Sequence, residues 1–299
     1  MNTRVLIIAV LAVLVAGVSP ALADEPLWAG LEDGGRGMVI TVVDGDTVKL
    51  ASGVSVRLVG IQAPKLPLGR PGFVKWPLAD KAKNRVIKLL ANQPVRLFYG
   101  GRKFDRYGRK LAHLWRLDKK GAPDLWAQGT LLEEGFARVY TFPDNRALAP
   151  QMIAAERIAR RQVSGMWADA FYEVRVPEDL DRMIDTFQVV SGRVVSTALV
   201  RGRGYINYGD DWRVDFTASL APKVLRQYPE LSDALASYEG KKVQVRGWIK
   251  QYNGPMVEIT HPEQIELAGY AAEDDQADED TIAEEKVFEQ IETVIVPGP

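Results

Sequence analysis

The sequence predicts an α+β fold rich in strands, built as two small barrels of the OB type, one after the other. Two observations carry this. Residues 39–43, 47–50, 54–61, 95–99 and 109–117 are β-branched or apolar runs interleaved with helix-period stretches, the order of a five-stranded, partly open barrel. Residues 187–200, 204–208, 212–219, 242–250 and 256–267 give five more strands with one helical stretch, 222–238, and no sequence repeat relates the two sets. A chain of 299 residues with 46% apolar content has material for two cores.

In chain order, Arg4, the apolar run 5–18 and Ala21-Leu22-Ala23 read as a secretory signal peptide, residues 1–23. The run falls short of the ~20 residues that span a bilayer. Cleavage after Ala23 and export to the periplasm or the medium are expected, leaving no transmembrane segment. Residues 24–37, with Pro26, Gly30, Gly34 and Gly35, read as a flexible lead-in. The first module, 38–175, contains a helix over 78–92 with Ala82, Val86, Leu89 and Leu90 on one face, a second helix capped by Asp124 and stopped by Gly135, and a third over 147–165. The second, smaller OB-like module covers 176–270. Residues 271–299 form an acidic tail for which disorder is expected.

Charge is segregated. The net charge of the chain is −1, yet residues 38–175 sum to +12, residues 176–270 to −2 and the tail to −9. A local excess of that size suits a surface that meets phosphates. There is no cysteine, so disulfides and lipid attachment through a thiol are excluded, and with only His113 and His261 a histidine-rich zinc site lacks ligands. His113, alone in a strand pattern, reads as structural.

The first module turns on residues 42–50, which place Asp44 and Asp46 around Gly45 between two apolar runs. Asp-Gly in that setting is a hairpin signal, because glycine accepts the positive φ of tight turns. Arg57-Leu58-Val59-Gly60-Ile61 follows, with Pro64 just beyond. Asp105-Arg106-Tyr107-Gly108-Arg109 precedes a strand, Gly135 closes a helix, and Gly165-Met166-Trp167 ends another.

In order and spacing, residues 38–175 resemble the staphylococcal nuclease (thermonuclease) family. The resemblance implies an OB barrel that hydrolyses DNA or RNA phosphodiester bonds with calcium. It implies Asp46 as a calcium ligand and Arg57 and Arg109 as the arginines that grip the phosphate in catalysis, a task suited to a planar fork of donors that keeps its proton. The chain departs from the family at three positions. Gln62 stands for the second carboxylate ligand, Ala63 for a threonine whose carbonyl binds the metal, and Lys65 for the glutamate general base. Calcium takes about six to eight oxygens. A lysine ammonium repels the ion and, at its ordinary pKa, cannot accept a proton from water.

Two readings follow. In one, the protein binds nucleic-acid phosphates through Arg57, Arg109 and Lys65, with calcium-dependent hydrolysis weakened or lost and no cofactor required. In the other, it is an active secreted endonuclease using calcium or another divalent metal in an altered site. A cell-envelope scaffold is a third. Lys103 and Arg106 are candidates for electrostatic help. Tyr107 is a candidate substrate contact or a packing residue, and Tyr140 stands where the family lines its nucleotide pocket with tyrosine. Arg201, Arg203, Tyr205, Tyr208 and Trp212 form a basic and aromatic cluster in the second module, readable as hairpin packing or as a single-strand platform. Nothing forces an oligomer, and a monomer is the default.

Overall fold

A computed structural model describes residues 25–267. The signal-peptide segment and the acidic tail lie outside the described residues. Among the described residues, those from Leu31 onward form one compact unit, and before it the Ala29 N–H closes a turn on the Pro26 carbonyl.

The long first strand, β1 (Glu32–Asp44), pairs antiparallel with β2 (Thr47–Leu50) through its end and with β5 (Pro94–Tyr99) through its start. β2 pairs with β3 (Ser55–Leu58), and β3 lies parallel to β6 (Lys110–Leu117), which pairs in turn with β5. The pairings β1–β2–β3–β6–β5–β1 therefore close on themselves. β7 (Pro123–Trp126) extends the sheet beyond β6, and the short β4 (Ile61–Gln62) pairs with β8 (Arg138–Val139). Alternate residues of the ring, among them Val39, Val48, Val56, Leu58, Leu97 and Leu114, fill its interior. Three helices cover it: α1 (Ala79–Leu90), which buries Ala82, Val86, Leu89 and Leu90 as the spacing predicts, α2 (Ala127–Glu133) and α3 (Ala149–Arg161).

Two expectations for the first module are corrected. Residues 32–37 are not a flexible lead-in but strand, with Glu32 opposite Tyr99 and Gly37 opposite Val95. Asp124 does not cap a helix. It lies in β7, where the Arg116 guanidinium holds its carboxylate at 2.7 and 3.0 Å across the β6–β7 pair.

The second sheet starts with β9 (Phe187–Arg193) and β10 (Ser196–Val200), separated at Val194 and Val195 where one continuous strand was expected. β9 pairs with β13 (Lys242–Tyr252). From β10 the order continues through β11 (Arg203–Asn207), β12 (Thr217–Leu220) and β14 (Gly254–Ile259) to β13 and β15 (Ile265–Leu267). β12 and β14 are parallel. Residues 212–216 are turn rather than strand, and the expected single helix is two short ones, α4 (Pro222–Gln227) and α5 (Pro229–Ala234), followed by a 3-10 turn. Val190, Ile206, Phe216, Val243 and Val257 belong to this second core. Between the cores lie a small apolar cluster around Met166, Trp167 and Tyr172 and a polar seam in which Arg246 of β13 meets Glu156 of α3. No helix among the described residues is long and apolar enough to cross a membrane.

Candidate nucleic-acid interface

The Asp44–Asp46 turn joins β1 to β2, and Gly45 stands there because a Cβ would come within 2.6 Å of the Ala63 methyl and 3.0 Å of the Ala82 methyl. The turn is pressed under α1, so both carboxylates are buried rather than displayed on a surface hairpin; Asp46 is fully inaccessible. Its Oδ2 accepts hydrogen bonds from the Ala63 N–H at 2.8 Å and the Lys65 ammonium at 2.5 Å, and its Oδ1 lies 3.1 Å from an Arg57 Nη1. Burial alone would raise the Asp46 carboxyl, but the Arg57 and Lys65 cations outweigh it and hold the group well below the usual carboxylate range. Asp44, whose Oδ1 accepts the Asp46 N–H, is pushed up by burial and then by the Asp46 charge. Burial likewise pulls the Lys65 ammonium down, against the attraction of Asp46.

These residues do not fit a calcium ion. The Lys65 ammonium sits on the oxygen of Asp46 that a metal would need, and lies 4.0 Å from Asp44 as well. Gln62 is turned away. Its Oε1 accepts two hydrogen bonds, at 2.7 and 3.0 Å, from Arg138, which is itself buried and packed with its guanidinium 4.7 Å from the Phe187 ring. Burial pushes Arg138 down to about 10, which leaves it charged at neutral pH. Ala63 contributes its N–H to Asp46. Among the described residues no group of three or more His, Asp or Glu side chains is arranged to hold a metal.

Beside this cluster opens a cleft of 520 Å³, walled by Arg57, Arg106, Tyr107, Arg109, Tyr140 and Phe142 among others. Arg57 is fixed at its base: Nη1 donates to the Leu58 and Asp46 carbonyls at 2.9 and 3.3 Å and Nη2 to the Ile61 carbonyl at 2.6 Å. The Arg109 Nε pairs with Asp105 at 2.7 Å. Asp105 also accepts the backbone N–H groups of Tyr107 and Arg109, which folds the 105–109 turn around it; burial would raise this carboxyl, and the hydrogen bonds from Arg109 and Tyr107 hold it below its ordinary value. Tyr107 is exposed between Arg106 and Arg109, whose guanidinium carbons lie 4.8 and 5.5 Å from its ring centre.

The structure thus gathers Arg57, Arg106, Tyr107, Arg109 and Tyr140 on one cleft and puts Asp46 and Lys65 together behind Arg57. Lys103 is elsewhere: its ammonium pairs with Glu32 at 2.5 Å, a partner that exists because the chain before Met38 is strand. Arg102, which the sequence reading passed over, lines the cleft 3.7 Å from Asp144; its only signal was a third cation in the run 102–106.

One cleft wall, residues 138–146, is fastened from behind by the second sheet. The Trp248 Nε1 donates to the Tyr140 hydroxyl at 3.0 Å, Phe187 packs edge-on at 4.8 Å against the Tyr140 ring, and Thr141 Oγ1 lies 2.7 Å from His261 Nε2. Arg146 and Glu263 form a two-pronged ion pair. Glu156 accepts the Val139 N–H while held by Arg246. No sequence signal marks these contacts, half of which join residues more than a hundred positions apart.

A closed ring of five strands thus brings arginines from β3 and from the turn before β6 onto one cleft. The family described as staphylococcal nuclease homologue matches residues 55–169. The thermonuclease of Staphylococcus intermedius is 31% identical over 171 residues, covering 56% of this chain and 96% of that protein; the thermonuclease of Staphylococcus hyicus is 30% identical over 173 residues, covering 56% and 98%. The micrococcal nuclease of Shigella flexneri is 29% identical over 161 residues, covering 52% and 84%. The chain belongs to the staphylococcal nuclease family, whose domain is an OB-fold and whose members use calcium.

Proposed function

We propose that this is an exported protein that grips nucleic-acid phosphates in the Arg57–Arg109 cleft and has given up calcium-dependent hydrolysis. The observation that carries the reading is the Lys65 ammonium 2.5 Å from Asp46, at the position where the family resemblance calls for a glutamate base beside a metal. A cation there supplies a fixed counter-charge near the phosphate. It supplies neither a Lewis acid nor a proton acceptor. Arg109, oriented by Asp105, and Arg106 donate to the phosphate oxygens, and Tyr107 and Tyr140 offer ring faces to sugar or base. Arg57, pinned by three carbonyls, sets the positive floor of the cleft.

Residues 176–270 are read as a second OB-type barrel, the bent β9–β10 pair serving as one strand in the order β10–β11–β12–β14–β13–β9, which matches the first ring with its parallel closing pair. The signal-like segment 1–23 supports export, and a monomer is the expected state.

The test is incubation of residues 24–299 with single-stranded DNA and RNA in calcium, magnesium, manganese or EDTA, beside Arg57→Ala and Arg109→Ala. Binding that both substitutions weaken, without cleavage in any medium, is expected. Metal-dependent cleavage abolished by both would overturn the reading and make the chain an active endonuclease with an altered site.

A further inference from the structure

Trp248, Lys250 and Tyr252 occupy alternate positions near the end of β13, and all three are exposed; Ile249 is buried, whereas Gln251 is exposed beside them. The row starts behind the Tyr140 wall of the phosphate cleft, where the Trp248 indole N–H donates to the Tyr140 hydroxyl. The Lys250 ammonium follows, 5.9 Å from the centre of the Trp248 ring and paired with Asp185 at 2.6 Å. At the far end, Tyr252 overhangs a groove of 410 Å³ lined also by Tyr205, Trp212, Asn207, Asn253 and Met256, with no charged side chain in its lining. A second groove of 350 Å³ shares Tyr205, Tyr252 and Met256 with the first and adds Arg203, Lys250 and Glu258. Leu199, Val200, Val214 and Trp212 are more than half exposed nearby, the kind of apolar exposure that marks a binding surface rather than a resting one.

We propose that these grooves are a second nucleic-acid site, on which a single strand leaving the Arg57–Arg109 cleft runs along β13 and stacks its bases on Trp248, Tyr252 and the Tyr205–Trp212 rings. This rests on the phosphate-binding reading of the cleft. The chemistry of the two grooves favours this occupant. An uncharged pocket of rings and amides matches the faces and edges of bases, and the adjoining groove brings Arg203 and the Asp185-paired Lys250 beside it as partners for the linking phosphates. A duplex cannot use the rings, because its bases are already stacked. Residues 176–270 sum to −2, so the second site adds stacking to a strand the basic module has already captured.

The experiment measures binding of the chain from Asp24 onward to a dinucleotide and to a single strand of about 25 nucleotides, longer than the ~4–16 nucleotides that one such module covers. Trp212→Ala and Tyr252→Ala each weaken binding of the long strand by about tenfold, the scale of one lost base–ring stack. Both leave the dinucleotide unaffected, Tyr252→Phe binds as wild type, and Arg109→Ala weakens both ligands. Both alanine changes are at exposed positions, and thermal melts confirm that the variants fold. If they bind the long strand as tightly as wild type while Arg109→Ala does not, the second site is refuted and the cleft reading stands. If wild type binds no nucleic acid, both fall. Quenching of tryptophan fluorescence by a neutral oligosaccharide but not by the single strand, lost in Trp212→Ala, would also overturn the proposal and assign the groove to a glycan.

Discussion

Replacing Arg246 with methionine is expected to lower the stability of the protein at pH 7 by about 3–4 kcal/mol. Arg246 is buried, and its two Nη atoms bind Glu156 at 3.0 and 3.2 Å while Nη2 also meets Glu266. Methionine fills much of the same volume, so the loss is electrostatic. Glu156, wholly inaccessible, would keep only the Val139 N–H and Arg160 Nε at 3.6 Å. Glu266 would keep Arg157 and Arg160. Burial alone would raise the Glu266 carboxyl; Arg246, then Arg160 and Arg157, hold it at about 2 against an ordinary 4.5. That difference corresponds to about 3 kcal/mol at most, shared among the three arginines. Breaking a buried pair costs about 3–5 kcal/mol, and the partners that remain place this case at the lower end.

Thermal unfolding at pH 7 should show a midpoint lower by roughly 10 °C for a protein of this size. The sign with pH follows from a carboxyl whose pKa is lowered on folding: its contribution is complete above about pH 4.5 and is lost as pH falls toward 2. The gap between wild type and Arg246→Met should therefore narrow below pH 4.5. Adding Glu156→Gln, which removes the orphaned charge and keeps an acceptor for Val139, should restore part of the loss. A loss under about 1 kcal/mol at pH 7, or a gap indifferent to pH, would refute the idea that this seam binds the two cores.

Three further outcomes are expected. Wild-type melting should be unmoved by millimolar calcium, whereas Gln62→Asp with Lys65→Glu should gain calcium-dependent stability, about 2.7 kcal/mol when the ion reaches a hundred times its Kd; a calcium-induced rise in wild type would mean that Lys65 yields the site. Arg109→Ala should reduce the salt slope of nucleic-acid affinity by about one phosphate's worth in a titration series, and an unchanged slope would remove it from the interface. Burial pushes His113 and His261 down to about 4 from 6.5, so the stability each contributes is complete above pH 6.5 and is lost as pH falls toward 4, by up to about 3 kcal/mol apiece; His261→Gln should flatten that part of the denaturation profile.

The sequence was informative where a short motif builds its own geometry. The face of α1 and the turn before Arg109 are local, and each is where its pattern put it; the Asp44-Gly45-Asp46 turn also forms where expected, but Gly45 is required by the close approach of Ala63 and Ala82 rather than by a positive φ. Features set by distant partners were not legible. Asp124 has the chemistry of a helix cap, but Arg116 claims its carboxylate once β6 and β7 pair. Lys103 stands two residues from the 105–109 turn, yet Glu32, brought alongside by the start of β1, takes its ammonium. A lysine at position 65 suggested repulsion of a metal and a grip on phosphate; that it closes directly on the buried Asp46 instead is set by the fold that brings the two together.

That closure bears on both halves of the molecule. With Arg57 and Lys65 both on Asp46, the charge at the base of the cleft is covalently fixed and present at any calcium concentration. On the proposed reading, a site that neutralises phosphate this way cleaves nothing and so has no product to release. Retention of an intact strand then becomes the property that further contacts can improve. The fastening of the 138–146 wall by Trp248, His261, Glu263 and Arg246 makes the cleft as rigid as the second sheet behind it. The same tryptophan opens the row that leads to Tyr252. A rigid cleft with a fixed counter-charge and an adjacent aromatic path is better suited to holding a strand than to turning one over.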